Sequence, residues 1–232
     1  MRGTADSMRV AKSGRFHRYG LTRAVVNACA AALLAFVSSS AFPVLASGPP
    51  KILVLGDSLT AGYGLEPKQS FPVQLQAALD ADGIAATVIN AGVSGDTTAG
   101  GLARLGWALK EKPDAVIVEL GANDGLRGLD PGATYANLEA IVTRLKDENI
   151  RVLIAGMLAP PNLGKEYAAE FNAVYPRLAD THDVVLYPFF LDGVAAEPDL
   201  TQSDGLHPTA QGITVIVQRI LPYVSRLIGT GE

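Results

Sequence analysis

The sequence has 232 residues, a formal net charge of −4 and a hydrophobic content of 48%. This length and composition suffice for a globular domain with an ordinary apolar core. The single cysteine, Cys29, excludes a framework of disulfides within the chain.

Residues 1–46 have the features of a secretory signal peptide. Six Lys or Arg residues precede position 24, against one acidic residue, Asp6. An apolar run over residues 24–37 is interrupted only by Asn27, and residues 44–46 (Val-Leu-Ala) fit a small-x-small cleavage site. The pattern predicts that residues 1–46 are removed and that the protein is periplasmic or secreted. The alternative is an uncleaved anchor, for which the apolar run is short.

Removal of the leader changes the charge of the chain. The leader holds six of the 19 basic and one of the 23 acidic residues, so residues 47–232 hold 13 basic and 22 acidic residues, a net charge of −9. Such a charge disfavours nucleic acid and anionic membrane surfaces as partners. We expect residues 47–232 to form a single monomeric domain that has no thiol nucleophile and is not inserted in a membrane.

Five short apolar runs rich in Val and Ile predict strands that are covered on both faces. They lie at residues 52–55, 86–90, 115–120, 151–155 and 184–187. Helical periodicity separates them, so the pattern indicates βαβ units and a parallel sheet of the α/β class.

The helices between the strands have recognisable ends. Gly83 is expected to close the first, side chains near Thr97 to cap the second, and Asp130 to cap the third, before Pro131. A fourth helix is predicted over residues 168–179, where Pro176 should kink or split it. A last helix is predicted to begin after His207-Pro208.

Ser58 follows the first predicted strand in a glycine-rich turn, residues 56–62. Ligands bind at the carboxyl edge of open α/β sheets, so a serine there is a candidate nucleophile if a base and oxyanion donors reach it. Of the two histidines after the leader, His182 precedes a strand and is interpreted as a solvated loop residue. His207 lies three residues after Asp204, a spacing that lets the carboxylate orient the imidazole as a general base.

Candidate oxyanion donors also follow strands. The Ser58 backbone N–H is one, and a glycine after the second strand, Gly92 or Gly95, is another. Asn123, after the third strand, offers a side-chain amide. We interpret Asp57 and Asp124 as structural residues that hold turn backbone.

These residues fall in four blocks that resemble the SGNH, or GDSL, hydrolase family. The blocks are residues 56–59 (Gly-Asp-Ser-Leu), Gly95, residues 121–124 (Gly-Ala-Asn-Asp) and residues 204–208 (Asp-Gly-Leu-His-Pro). The sequences around Gly95 and Asn123 are similar to the small bacterial periplasmic branch, which comprises acyl-thioesterases, lysophospholipases and arylesterases. The resemblance implies a three-layer α/β/α sandwich, flavodoxin-like, with five parallel strands.

The resemblance also implies roles for the matching residues. Ser58 is the expected nucleophile, His207 the base and Asp204 its orienting carboxylate. The Ser58 and Gly95 N–H groups and the Asn123 amide are the expected oxyanion hole, with Gly95 favoured over Gly92. No metal or cofactor is implied.

The predicted reaction is hydrolysis of a small ester or thioester through an acyl-enzyme. Leu126, Leu158 and Leu163 are expected to line an apolar acyl pocket, which favours aryl esters and short-to-medium acyl chains, with lysophospholipid as a further candidate. Two alternatives stay open at this point: a carbohydrate O-acetyl esterase with the same triad, and a non-catalytic acyl-binding module.

Overall fold

A computed structural model describes residues 48–230, so the predicted signal peptide lies outside the described range. Five parallel strands form one sheet in the order β2-β1-β3-β4-β5. The strands are β1 (Lys51–Gly56), β2 (Thr87–Gly92), β3 (Ala115–Glu119), β4 (Arg151–Ala155) and β5 (Val185–Tyr187). All five predicted strands are confirmed, with ends that differ by at most two residues.

Seven α-helices accompany these strands within residues 48–230. They are α1 (Ser58–Ala61), α2 (Phe71–Ala81), α3 (Thr98–Ala108), α4 (Ala122–Leu126), α5 (Pro131–Asp147), α6 (Lys165–His182) and α7 (Ala210–Ile228). In this part of the chain, no helix combines the length and apolarity that crossing a membrane requires.

The long helices form two layers. Helices α2 and α7 pack together on one face of the sheet, and α3, α5 and α6 pack side by side on the other. This arrangement is the expected three-layer sandwich, and the strand order 2-1-3-4-5 is that of flavodoxin-like folds. The predicted caps are also found, since Thr97 accepts from Gly100 N–H and Asp130 from Gly132 N–H.

The prediction that the strands are covered on both faces is correct for the central strands of the sheet but wrong for β2. Strand β3 is buried along its whole length, and β1 from Ile52 onward. In β2, Thr87 and Asn90 are exposed, because this strand lies at the edge of the sheet. An edge strand packs against fewer neighbours, so its apolar pattern alone overstates its burial.

One expected helix feature, a split at Pro176, is corrected. Helix α6 continues through Pro176 from Lys165 to His182, because buried side chains before and after the proline, among them Tyr175 and Leu178, pack into the same layer. Helix α7 begins after Pro208, as predicted, at Ala210, and Thr209 is its cap.

The chain reverses its direction across the sheet between β1 and β3. It runs from β1 outward to β2 and then crosses back to β3, which pairs with β1 so that Gly56 lies opposite Glu119. Neighbouring strands whose connections depart in opposite directions leave a crevice at their carboxyl ends. Ser58 and Asn123 follow these two strands on the short helices α1 and α4.

A close contact holds the backbone after β3. The buried Tyr175 hydroxyl donates to the Leu120 carbonyl over 3.0 Å, and a Cβ on Gly121 would overlap that hydroxyl. Gly121 also has φ +113°, which L side chains rarely adopt. The turn that leads to Asn123 therefore requires glycine for two reasons.

We predict that Gly121→Ala destabilises the fold by about 3 kcal/mol or more, through backbone strain and overlap with Tyr175. Gly83→Ala is the matched control. Gly83 shares a positive φ (+69°) with Gly121 but has open space where a Cβ would lie. Its expected cost is only about 1 kcal/mol. Urea unfolding measures both values, and equal losses in the two variants would contradict the role of Tyr175.

Candidate active site

Ser58, His207 and Asp204 form a continuous hydrogen-bonded chain at the carboxyl edge of the sheet. Ser58 Oγ lies 2.9 Å from His207 Nε2, and His207 Nδ1 lies 2.6 Å from Asp204 Oδ2. Ser58 and His207 are 149 positions apart in the sequence, and the fold alone brings them together. The arrangement lets the imidazole accept a proton from the serine while the carboxylate supports the resulting charge.

The turn after β5 fixes the orientation of Asp204. Its Oδ1 accepts from the backbone N–H groups of Leu206 (2.9 Å) and His207 (3.0 Å). The backbone N–H of His207, then its ring and the N–H of Leu206, lower the pKa of Asp204 to about 2. The carboxylate is therefore ionised at neutral and mildly acidic pH, as an orienting group for a histidine should be.

The other histidine has no part in this arrangement, although its surroundings differ from the prediction. His182 is the last residue of α6 rather than a loop residue, and its side chain is only 17% exposed. Its Nε2 lies 3.8 Å from Glu139 Oε1. The interpretation of His182 as solvated was wrong because the helix extends beyond its predicted end.

Ser58 is the first residue of α1, and Asp57 caps that helix. Asp57 Oδ1 accepts from Leu59 N–H over 3.0 Å, as expected of a residue that holds turn backbone. The first N–H groups of a helix have no partner within the helix. In residues 48–230 neither the Ser58 nor the Gly95 backbone N–H donates to another backbone group, so both remain available to a ligand.

A second buried carboxyl group lies below this turn. Glu119, at the end of β3, is fully buried, and its Oε2 accepts from Thr60 Oγ1 (2.6 Å) and Asp57 N–H (3.3 Å). A Cβ on Gly56 would overlap both Glu119 and Thr60. Burial, and then the charge of Asp57, raise the pKa of Glu119 well above its ordinary value.

Asn123 reaches the same turn from α4. Its Nδ2 donates to Asp57 Oδ2 and to the Asp96 carbonyl, each over 2.9 Å. The contact with Asp57 was not predicted from the sequence, because it links residues that follow two different strands. Both amide protons are used within the protein, so donation to a ligand requires one of these bonds to be shared or released.

The Gly95 loop is held from two sides. Arg104 Nε pairs with Asp96 Oδ2 at 2.5 Å, and Arg104 Nη2 donates to the Gly56 carbonyl over 2.8 Å. From the other side, Arg127 Nη2 donates to the Gly95 carbonyl over 2.9 Å. Gly95 itself has φ +86°, a conformation that favours glycine.

Asp124 connects the loops that follow β2 and β3. Its two oxygens accept from Thr98 N–H (2.8 Å) and Thr98 Oγ1 (2.5 Å) at the start of α3. The expected structural role of Asp124 is therefore confirmed, and it acts between segments rather than within its own turn. This bond fixes α4, and with it Asn123, relative to the Gly95 loop.

A cavity of about 620 Å³ opens beside Ser58. Ser58, Gly95, Asn123 and His207 belong to its lining, and so do Leu126 and Leu158. Leu163 is not part of the lining, and its side chain lies near Gly128 instead. The remaining lining is largely apolar and includes Tyr63, Met157, Pro160, Phe189, Leu191 and Leu206.

One wall of this cavity was missed by the sequence analysis. The segment between β5 and α7 contributes residues from Phe189 to His207, including Ala195 and Ala196. It follows a strand, so its position at the carboxyl edge could have been inferred. Its apolar residues have no regular spacing, however, and nothing in their pattern marks them as a wall.

Comparison with known proteins agrees with this geometry. A family profile for the GDSL-like Lipase/Acylhydrolase family matches residues 54–214. An arylesterase of Vibrio mimicus is 44% identical over 177 residues, which are 76% of this chain and 88% of the relative. Thioesterase 1/protease 1/lysophospholipase L1 of Escherichia coli K12 is 42% identical over 164 residues, 70% of this chain and 77% of the relative.

A solved structure gives the same result. The psychrotrophic esterase EstA from Pseudoalteromonas sp., in a form inhibited by monoethylphosphonate, superimposes with a TM-score of 0.74 at 33% identity, covering 78% of this chain and 99% of that one. The chain belongs to the GDSL-like lipase/acylhydrolase family and is a hydrolase of ester bonds. The resemblance noted in the sequence is confirmed.

Because Asp57 is buried, we predict that the free energy of unfolding depends on pH. Burial raises the pKa of Asp57 from 3.8 to about 6, so the native state keeps a proton that the unfolded chain loses at lower pH. The free energy of unfolding should therefore fall as the pH rises from about 4 to about 6, by an amount on the order of 2–3 kcal/mol from this group.

In Asp57→Asn this part of the fall should disappear. Urea unfolding across that pH range measures it, and Asp147→Asn, at an exposed position on α5, is the control. A pH dependence of the Asp57→Asn variant equal to that of the wild type would contradict the assignment.

Proposed function

We propose that Ser58 is the nucleophile of a serine esterase, with His207 as general base and Asp204 as its orienting carboxylate. Ser58 Oγ attacks the ester carbonyl, and His207 Nε2 takes its proton and passes it to the leaving group. Water then attacks the acyl-enzyme with the same help, which releases the acid and restores Ser58. The observation that carries this proposal is the 2.9 Å contact between Ser58 Oγ and His207 Nε2 at an apolar cavity.

The proposed oxyanion hole consists of the Ser58 and Gly95 N–H groups and the Asn123 amide. The two backbone groups donate to no other backbone group in the described residues, which suits them to an oxygen that gains charge in the transition state. Asn123 would exchange its bond to the neutral Asp96 carbonyl for one to the oxyanion. Its bond to the Asp57 carboxylate would be kept, and this bond would hold the amide in place.

The proposed substrates are aryl esters and esters or thioesters of short-to-medium acyl chains, with lysophospholipids as further candidates. The cavity is largely apolar, and its volume of about 620 Å³ accommodates an acyl chain or an aromatic ring. The names of the relatives, an arylesterase and a thioesterase/lysophospholipase, support the same classes.

The two alternatives receive less support. A carbohydrate O-acetyl esterase needs polar contacts for a sugar, whereas this cavity is bounded by Leu126, Met157, Leu158 and Leu191. A non-catalytic acyl-binding module would not need the hydrogen-bonded alignment of Ser58, His207 and Asp204.

We further propose that residues 1–46 are cleaved and that the mature enzyme acts as a monomer in the periplasm or outside the cell. The leader composition supports this location. Mass spectrometry of the protein recovered from a periplasmic extract tests it. A mass that includes the first 46 residues would contradict cleavage.

Hydrolysis of a series of p-nitrophenyl esters from acetate to decanoate tests the proposed activity. We expect the fastest turnover for chains between butyrate and octanoate, because these fill the apolar cavity. Activity on acetate alone would favour the carbohydrate esterase. Ser58→Ala should lose turnover and should not be labelled by a reactive phosphonate, and turnover retained by this variant would overturn the nucleophile assignment.

Asn123→Ala should reduce kcat by about 10²–10³ with a smaller effect on KM, since the amide acts on the transition state rather than on the bound ester. Asn137→Ala is a suitable control. Asn137 donates to Thr98 Oγ1 and does not line the cavity. A kcat that is unchanged in Asn123→Ala would remove Asn123 from the oxyanion hole.

A further inference from the structure

The exposed apolar side chains of the protein are not evenly distributed. Eight large hydrophobic residues in residues 48–230 are between 40% and 66% exposed. Two of them, Val73 and Trp107, lie on the outer helices α2 and α3. The other six lie in the segments that leave the carboxyl ends of the strands: Tyr63, Val93, Leu126, Leu129, Leu158 and Leu206.

Every strand of the sheet is followed by at least one of these six residues, which we call the apolar rim. Tyr63 follows β1, Val93 follows β2, Leu158 follows β4 and Leu206 follows β5, while Leu126 and Leu129 both follow β3. Because parallel strands end at one edge, the segments that carry the rim leave the sheet at the edge where the cavity lies. Such clustering at one edge is unlike singly scattered surface residues, which need no explanation.

Substrate binding within the cavity does not account for the whole rim. Tyr63, Leu126, Leu158 and Leu206 line the cavity, but Val93 and Leu129 do not. Val93 directly precedes Ser94 and Gly95, which are part of the lining, and Arg127 bonds the Gly95 loop to the segment that carries Leu129. Both exposed side chains therefore belong to segments that are joined directly to the cavity lining.

We propose that the apolar rim docks the enzyme on the surface of an aggregated zwitterionic lipid, so that an acyl chain enters the cavity directly from the aggregate. This inference rests on the proposed function and specifies how that site meets its substrate. Two features favour this occupant: the rim is continuous with an apolar cavity that ends at Ser58, and the net charge of −9 over residues 47–232 repels anionic lipid surfaces.

The chain offers a closely matched pair of variants. Val93 is 44% exposed at the rim, and Val73 is 45% exposed on helix α2. Val93→Ser and Val73→Ser therefore make the same replacement of an apolar by a polar side chain, at nearly equal exposure, inside and outside the rim. Neither side chain belongs to the proposed catalytic machinery or to the cavity lining. Val93→Ser combined with Leu129→Ser enlarges the effect.

The kinetic test uses lysophosphatidylcholine below and above its critical micelle concentration, with p-nitrophenyl butyrate as a soluble substrate. We expect the wild-type rate per lipid to rise above that concentration. Val93→Ser should lower the micellar rate by about threefold and the double variant by about tenfold, because less apolar area is buried on docking. Val73→Ser should equal the wild type, and all variants should keep their rate on the butyrate ester.

A binding test separates docking from catalysis. Ser58→Ala should sediment with phosphatidylcholine vesicles, and the same variant carrying Val93→Ser and Leu129→Ser should not. Failure of the wild type to hydrolyse the butyrate ester would refute the proposed function, whereas this test would still measure docking.

Three results would overturn the docking proposal: no sedimentation of Ser58→Ala, equal losses in Val93→Ser and Val73→Ser, or a wild-type dimer that the double variant abolishes. The last result would assign the rim to a second copy of the chain.

Discussion

The hydrogen bond between the Asp57 carboxylate and the Asn123 amide joins the two strand ends on which the site is built. Asp57 caps the helix that begins with Ser58, and Asn123 lies on the helix that follows β3, 66 positions later. The buried Asp57 carboxylate thus orients the turn that carries Ser58, because Oδ1 accepts from Leu59 N–H, and it orients the Asn123 amide through Oδ2. Ser58 and Asn123 are thus held relative to each other although they lie on two different segments of the chain.

This arrangement has a cost in stability, because it places two carboxyl groups, Asp57 and Glu119, at the buried end of an apolar sheet. Desolvation raises the pKa of both. The adjoining strands offset the cost with aliphatic side chains that are fully buried, from Ile52 to Leu55 and from Ala115 to Ile117. Buried carboxyl groups that go against the rule that charge is kept out of the protein interior are expected at functional sites rather than in structural cores.

The fold was predictable from the sequence because its signals are local and repeated. Val- and Ile-rich runs mark the strands, and caps such as Thr97 and Asp130 mark the helices. The four blocks could be placed at one edge because each follows a strand. Their meeting at that edge follows from the parallel topology alone and requires no particular side-chain contact.

What the sequence did not provide depends on tertiary contacts or on elements too short to show a period. Helices α1 and α4 have four and five residues, less than two turns of periodicity. Glu119 lies inside an apolar run, and its burial follows from the packing of Thr60 and Gly56 around it. The continuity of α6 through Pro176 likewise reflects packing that outweighs the local preference of proline.

The segment between β5 and α7 carries both the proposed general base, with its carboxylate, and a wall of the cavity beside Ser58. Changes to Phe189, Leu191 or Ala195 that enlarge this wall therefore act on the same stretch of backbone that aligns His207. Of the other lining residues, Leu126 shares helix α4 with Asn123, a proposed oxyanion donor, whereas Leu158 follows β4 on a segment that carries none of the proposed catalytic groups. Chain-length preference should therefore diversify among relatives, or be re-engineered, more freely at Leu158, whereas changes at Leu126 or in the segment after β5 couple selectivity to turnover.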